Sequence, residues 1–132
     1  MRENKYRVYC EFEINGELHK SMESPASWFM LTQTGKLWTY DPGEIPRPLE
    51  KEYKKAIPLF YTGVKDFDKI EIYEGDIIEY HNVQYTKERK EVKFINNNDY
   101  CGWNISPNFV LAGNARIIGN IHENSELMGR VA

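Results

Sequence analysis

A chain of 132 residues, 41% hydrophobic and 28% charged, has the size and balance of one soluble domain, able to bury roughly two thirds of its unfolded surface. Seventeen Lys and Arg stand against 20 Asp and Glu, a formal charge of -3, so no polybasic tract marks it as a phosphate or nucleic-acid binder. Cys10 and Cys101 are too few for a disulfide scaffold and lie in no CxxC or Cys/His cluster, while no run approaches the ~18 apolar residues of a membrane helix; a cytoplasmic protein without metal or cofactor is expected.

In chain order, Tyr6, Val8, Cys10, Phe12 and Ile14 alternate with Arg7, Tyr9, Glu11 and Glu13, the period-2 pattern of a half-buried strand. Asn15-Gly16 favours positive φ at both positions and predicts a tight hairpin into Leu18–Met22. Trp28–Thr32 and Leu37–Tyr40, joined through Gln33-Thr34-Gly35, predict a second hairpin. Pro42, Pro46, Pro48 and Pro58 then bracket a charged run. This segment predicts a loop carrying at most a short helix over Leu49–Ala56, with Pro48 in its first turn and Glu50 placed to pair with Lys54.

Strands return over Leu59–Val64, Glu71–Tyr73, Ile77–Tyr80, Glu91–Ile95, Tyr100–Ile105 and Ala115–Ile121. Asn96–Asp99, Pro107-Asn108 and Gly113-Asn114 punctuate them as turns, and Asn124–Leu127 predicts a capped final turn. Short strands with frequent turn signals predict a mainly β fold: a strongly bent sheet or small SH3-like barrel with hairpins and at most one or two short helices.

The motif Tyr73-Glu74-Gly75-Asp76-Ile77-Ile78 supports two readings. In the mechanical one, Gly75 takes a conformation hindered for other residues, Asp76 binds nearby amides and Ile77 opens the next strand. In the chemical one, Glu74 and Asp76 share a strand face as metal ligands or as an acid/base pair. The mechanical reading is preferred, because no other convergent polar group is visible in the sequence. His122, between Asn120 and Glu123, similarly suits a strand end and turn better than an oriented base. His19 and His81 lie on separate predicted segments. No catalytic, cofactor-binding or metal-binding residue is assigned, and the chain is expected not to be an enzyme.

The aromatic residues, 9 Tyr, 6 Phe and 3 Trp, favour strands, and interleaved with cations they can form a stacking platform for single-stranded nucleic acid. Charge opposes that use: Leu59–Tyr80 holds Lys65 and Lys69 against six acids. Only Lys87–Lys93, with Lys87, Arg89, Lys90 and Lys93 set against Glu88 and Glu91, is locally basic. Nucleic acid is not an expected partner.

Leu59–Tyr80 and Ile117–Met128 together resemble the YopX-like family of phage and prophage proteins. Lys5-Tyr6-Arg7-Val8-Tyr9 resembles its basic-aromatic opening. The resemblance implies one compact β-rich domain over residues 1–132, with variable hairpins and a Pro-rich loop over 1–58 and a family-matching β core over 59–132. It also implies a host-cell cytoplasmic location and a tendency to homo-oligomers, but carries over no catalytic residues. Where the family usually has a glycine in the turn before Ile72, this chain reads Asp66-Phe67-Asp68-Lys69-Ile70, which places Phe67 at the surface; this turn and the first hairpins, with Trp28, Phe29 and Trp38, are candidate self-association surfaces. The expected role is a phage or prophage accessory protein acting by self-assembly or by binding a host or phage protein. The alternatives are a nucleic-acid-binding β-barrel module and a small enzyme with a carboxylate site.

Overall fold

In the computed structural model, which describes residues 5–23, 29–31, 37–39, 47–48 and 53–129, the first strand, β1 (Tyr6–Ile14), carries the predicted alternation. Val8 and Cys10 are buried with Leu37, and Tyr6, Phe12, Leu31 and Ala56 pack against them. Asn15 and Gly16 sit at φ 51° and 83°, which is the two-residue requirement of a type I′ turn. They return the chain into β2 (Glu17–Glu23), paired from Ile14↔Glu17 to Val8↔Glu23.

Two positions on β1 depart from the simple pattern. Tyr9 is buried despite lying on the other face, and its hydroxyl donates to Glu11 Oε2 at 2.6 Å. Ile14 is 49% exposed and its hairpin neighbour Leu18 50%. The reason is pairing length: β6 (Tyr53–Lys65) covers β1 only as far as Phe12↔Tyr53, so the hairpin tip has a neighbour on one side alone among the described residues.

β3 (Phe29–Leu31) and β4 (Leu37–Thr39) form the second predicted hairpin, extended by β5 (Arg47–Pro48). Trp28 and the turn at Gln33-Thr34-Gly35 lie outside the described residues. The short helix expected over Leu49–Ala56 is not formed where it is described: Tyr53–Ala56 open β6 and pair with Phe12–Cys10 of β1. A two-turn helix is marginal alone, whereas a strand here gains a ladder and buries part of Ala56. Pro58 stands within β6 opposite Val8 rather than bracketing a loop. Over residues 53–60 β6 pairs with β1 alone among the described residues, the edge setting in which proline is tolerated.

The chain divides into two compact units, Met1–Phe60 and Tyr61–Ala132, with the boundary inside β6. In the second unit the end of β6 pairs with β7 (Glu71–Tyr73) through a register shift between Tyr61 and Lys65. β8 (Asp76–His81) lies between β9 (Lys87–Glu91) and β12 (Arg116–Asn120). β10 (Phe94–Asn96) and β11 (Cys101–Trp103) make a separate hairpin over the Asn97 turn. These strands surround one core of Val64, Ile72, Ile78, Val92, Ile105, Val110 and Ala115. The architecture is mainly β, as expected.

Helix α1 (Pro107–Gly113) stands where the sequence predicts two turns. Ser106 Oγ accepts from Phe109 N at 3.2 Å, Pro107 starts the helix, and Asn114 closes it in the left-handed region at φ 50°. Ser-Pro and Gly-Asn are thus one helix's two caps. Gly113 allows the helix to approach β8, since a Cβ there would lie 3.0 Å from the His81 carbonyl oxygen. A final 3-10 turn, Ser125–Met128, ends at Gly129 with φ 71°.

Burial pushes the Cys10 thiol up to about 11, assisted by the charge of Glu23, whereas Cys101 is exposed. Because the thiolate is the reactive form, a disulfide-exchange reagent at pH 8 should titrate one thiol rapidly, Cys101. The second should appear only on denaturation; two rapidly reacting thiols in the native protein would contradict the burial of Cys10.

Candidate functional site

The corner between β7 and β8 is built as a backbone junction. Gly75 lies at φ 86°, a conformation costly for any side-chain-bearing residue. Its N–H donates to Val92 O and its carbonyl accepts from Ile121 N, both at 2.8 Å. Asp76, 2% exposed, accepts from Tyr73 N at 2.8 Å through Oδ2, and its carbonyl accepts from Val92 N. Glu74 stays in the turn while Asp76 begins β8 buried. The two carboxylates therefore do not form the shared strand face considered from sequence, and the mechanical reading of the motif describes the geometry.

His122 belongs to the same junction. Its ring lies over Gly75, with Nε2 3.3 Å from where a Gly75 Cβ would stand, so the two family-resembling segments meet here. Asn120 organises the turn: its Oδ1 accepts from His122 N at 3.1 Å and Glu123 N at 2.9 Å, and its Nδ2 donates to Glu123 Oε1 at 2.8 Å. Elsewhere, His19 stacks on Phe12 at 5.7 Å, and His81 ends β8. Among the described residues no three of His, Cys, Asp and Glu converge as metal ligands.

Most of the locally basic stretch forms β9 (Lys87–Glu91), whose cations are engaged by neighbouring protein groups. Arg89 pairs with Glu79 at 3.0 Å and donates to Leu127 O at 2.8 Å, and Lys87 lies 3.8 Å from the same carboxylate. Lys90 donates to Asn104 O and sits 3.9 Å over the Phe109 ring. Desolvation lowers its pKa. Three of the four cations weighed as phosphate contacts are thus held by protein groups.

The turn that departs from the family pattern borders a concave surface. Asp66, buried, accepts from Asp68 N and Ile70 N at 2.9 Å through Oδ1 and from Ile117 N at 3.1 Å through Oδ2. Lys69 occupies φ 70°, the left-handed conformation that a glycine would meet without strain. Phe67 is exposed, as expected, with the Arg116 guanidinium 4.7 Å from its ring and Arg116 Nε 3.1 Å from Asp68 Oδ2. Beside this turn opens a cleft of about 520 Å³, lined by buried Val64 and Val110, by Tyr61, Phe67 and Leu111, and by Lys65 and Lys69. Sequence inspection missed it, because α1 supplies one wall. The arrangement is suited to binding rather than to proton transfer, since its carboxylate, Asp66, is occupied by three amides.

The sequence profile of the family described as YopX protein matches residues 5–129. Among solved structures, that of protein EF1440 from Enterococcus faecalis is similar with a TM-score of 0.55 and 18% identity, over 97% of this chain and 99% of that one; at this identity the likeness is one of fold. No curated protein matches the chain.

Two glycine exchanges should act with opposite sign. Gly75→Val forces a side chain into positive φ and against His122, and should cost ~1–3 kcal/mol. Lys69→Gly should relieve strain and stabilise by ~0.5–1 kcal/mol. Urea unfolding of both variants checks this, and stabilities equal to the parent's would reject both turn assignments.

Proposed function

The chain belongs to the YopX family, and from that premise we propose that it is a non-enzymatic phage or prophage accessory protein of the host cytoplasm that acts by protein–protein binding, beginning with self-association. The observation that carries this reading is the loop between β8 and β9. Asn82 Oδ1 accepts from Gln84 N at 2.9 Å and Thr86 N at 3.0 Å, and Asn82 Nδ2 donates to Glu88 Oε1 at 2.9 Å. The hydrogen-bonded loop presents Val83 and Tyr85, 97% and 87% exposed, with Tyr85 at φ 60°.

An apolar residue and an aromatic one held outward by a satisfied hydrogen-bond network resemble an interaction anchor, since ordering costs little more on binding. Ile14, Leu18 and Trp38 add exposed apolar surface in the first unit. Strand edges with no partner among the described residues add a second incentive to associate, and closed symmetry is the usual way to cover them. No helix of the described residues is long and apolar enough to cross a membrane.

Light scattering coupled to size exclusion should return a mass above the 15.6 kDa of one chain at micromolar concentration. The double variant Val83→Asp/Tyr85→Asp should shift it towards one chain. A parent protein that stays at a single-chain mass across the micromolar range would reject self-association.

A further inference from the structure

We propose that the cleft between the Asp66 turn and α1 binds an acidic peptide segment carrying an apolar side chain. The inference goes beyond self-association and does not depend on it. Charge complementarity selects the occupant. In a chain of net charge -3, this cleft is rimmed by two exposed lysines, Lys65 and Lys69, for which no ion pair is found among the described residues. Its carboxylate, Asp66, is buried and turned to three backbone amides, so it does not offset them at the mouth.

Between the lysines and α1 the lining is apolar. Leu111 is 66% exposed, and Tyr61 and Phe67 complete the walls. A volume of about 520 Å³ falls in the range of ligand-sized clefts and exceeds what one small side chain fills. An apolar side chain fits the interior while flanking carboxylates meet the rim, the division of labour seen where anchors give affinity and charges give selectivity. Lys69 strengthens the case. It is held in a left-handed conformation by a turn whose backbone is fixed through Asp66, so a cation is presented at a position that glycine would occupy more cheaply.

The test uses the full chain and a set of blocked decapeptides, each bearing one Leu, Phe or Trp spaced one to four residues from two Glu, with Lys-for-Glu counterparts. Titration followed by amide chemical shifts should place the perturbations on Lys65, Phe67, Lys69, Val110 and Leu111 for at least one acidic peptide. Binding should weaken by about tenfold in Lys65→Glu/Lys69→Glu, as expected for losing two exposed charge contacts, and on Leu111→Asp. An unchanged melting temperature checks that the charge-reversal variant remains folded. Equal binding of the Lys counterparts, perturbations confined to another face, an unaltered affinity in a folded charge-reversal variant, or no binding by any acidic peptide at about 1 mM overturns the proposal. Because oligomer mass is read separately, failure here is distinguishable from failure of self-association.

Discussion

The architecture of the second unit depends on one backbone requirement, the positive φ of Gly75 at the β7–β8 corner. With that angle, the residue before β8 offers its amide to Val92 and its carbonyl to Ile121, so a single residue joins the segment just after β9 to the turn after β12. Asp76 then closes the corner by accepting the Tyr73 amide. The apolar residues on either side, Ile72 and Tyr73 before the corner and Ile77 and Ile78 after it, are all buried. A corner that turned differently would shift the register of β8, and a one-residue slip exchanges the faces of a strand. The hydrophobic contribution of these side chains is therefore conditional on the geometry of one residue without a side chain.

The same economy recurs wherever polar residues first suggest chemistry. Asp66, Asn82, Asn97 and Asn120 each accept two or three backbone amides through their side-chain oxygens, as Asx turns do. Asn104 accepts from Lys93 N and donates to Glu91 O, holding the approach to α1 against β9. In a domain with many tight connections, short polar side chains replace the ladder bonds that turns cannot make. Their placement follows from backbone satisfaction, which is why the Glu74/Asp76 and His122 neighbourhoods look chemically rich in sequence but resolve into turn construction.

What was legible in the sequence follows from the range of each interaction. The alternation along β1, Asn15-Gly16 and the Gly75 corner are local rules, and the structure obeys them. Ile14 departs from the alternation because exposure at a strand end depends on where the partner strand stops. Tyr53–Ala56 had acceptable helical spacing, and only the pairing with β1 decides for a strand. At α1, Pro107-Asn108 and Gly113-Asn114 mark turns as readily as helix ends, and a helix of seven residues is too short to show a convincing helical period. The cleft was invisible for a different reason, since residues near 65 and near 110 meet only in the folded unit.

Asp66 offers one oxygen to amides two and four residues ahead and the other to Ile117, 51 residues further along. A nascent chain can therefore shape the Asp66 turn early, but its third partner is absent until Ile117 has been made. β12 also supplies one of the two neighbours of β8, and an emerging chain holds that apolar strand with an open flank throughout the synthesis of α1. Long-range closure of this kind slows folding and prolongs the exposure of strand edges. During translation, the order in which residues leave the ribosome makes β8 the segment with most to gain from temporary shielding, by a chaperone or by the neighbouring β9 alone.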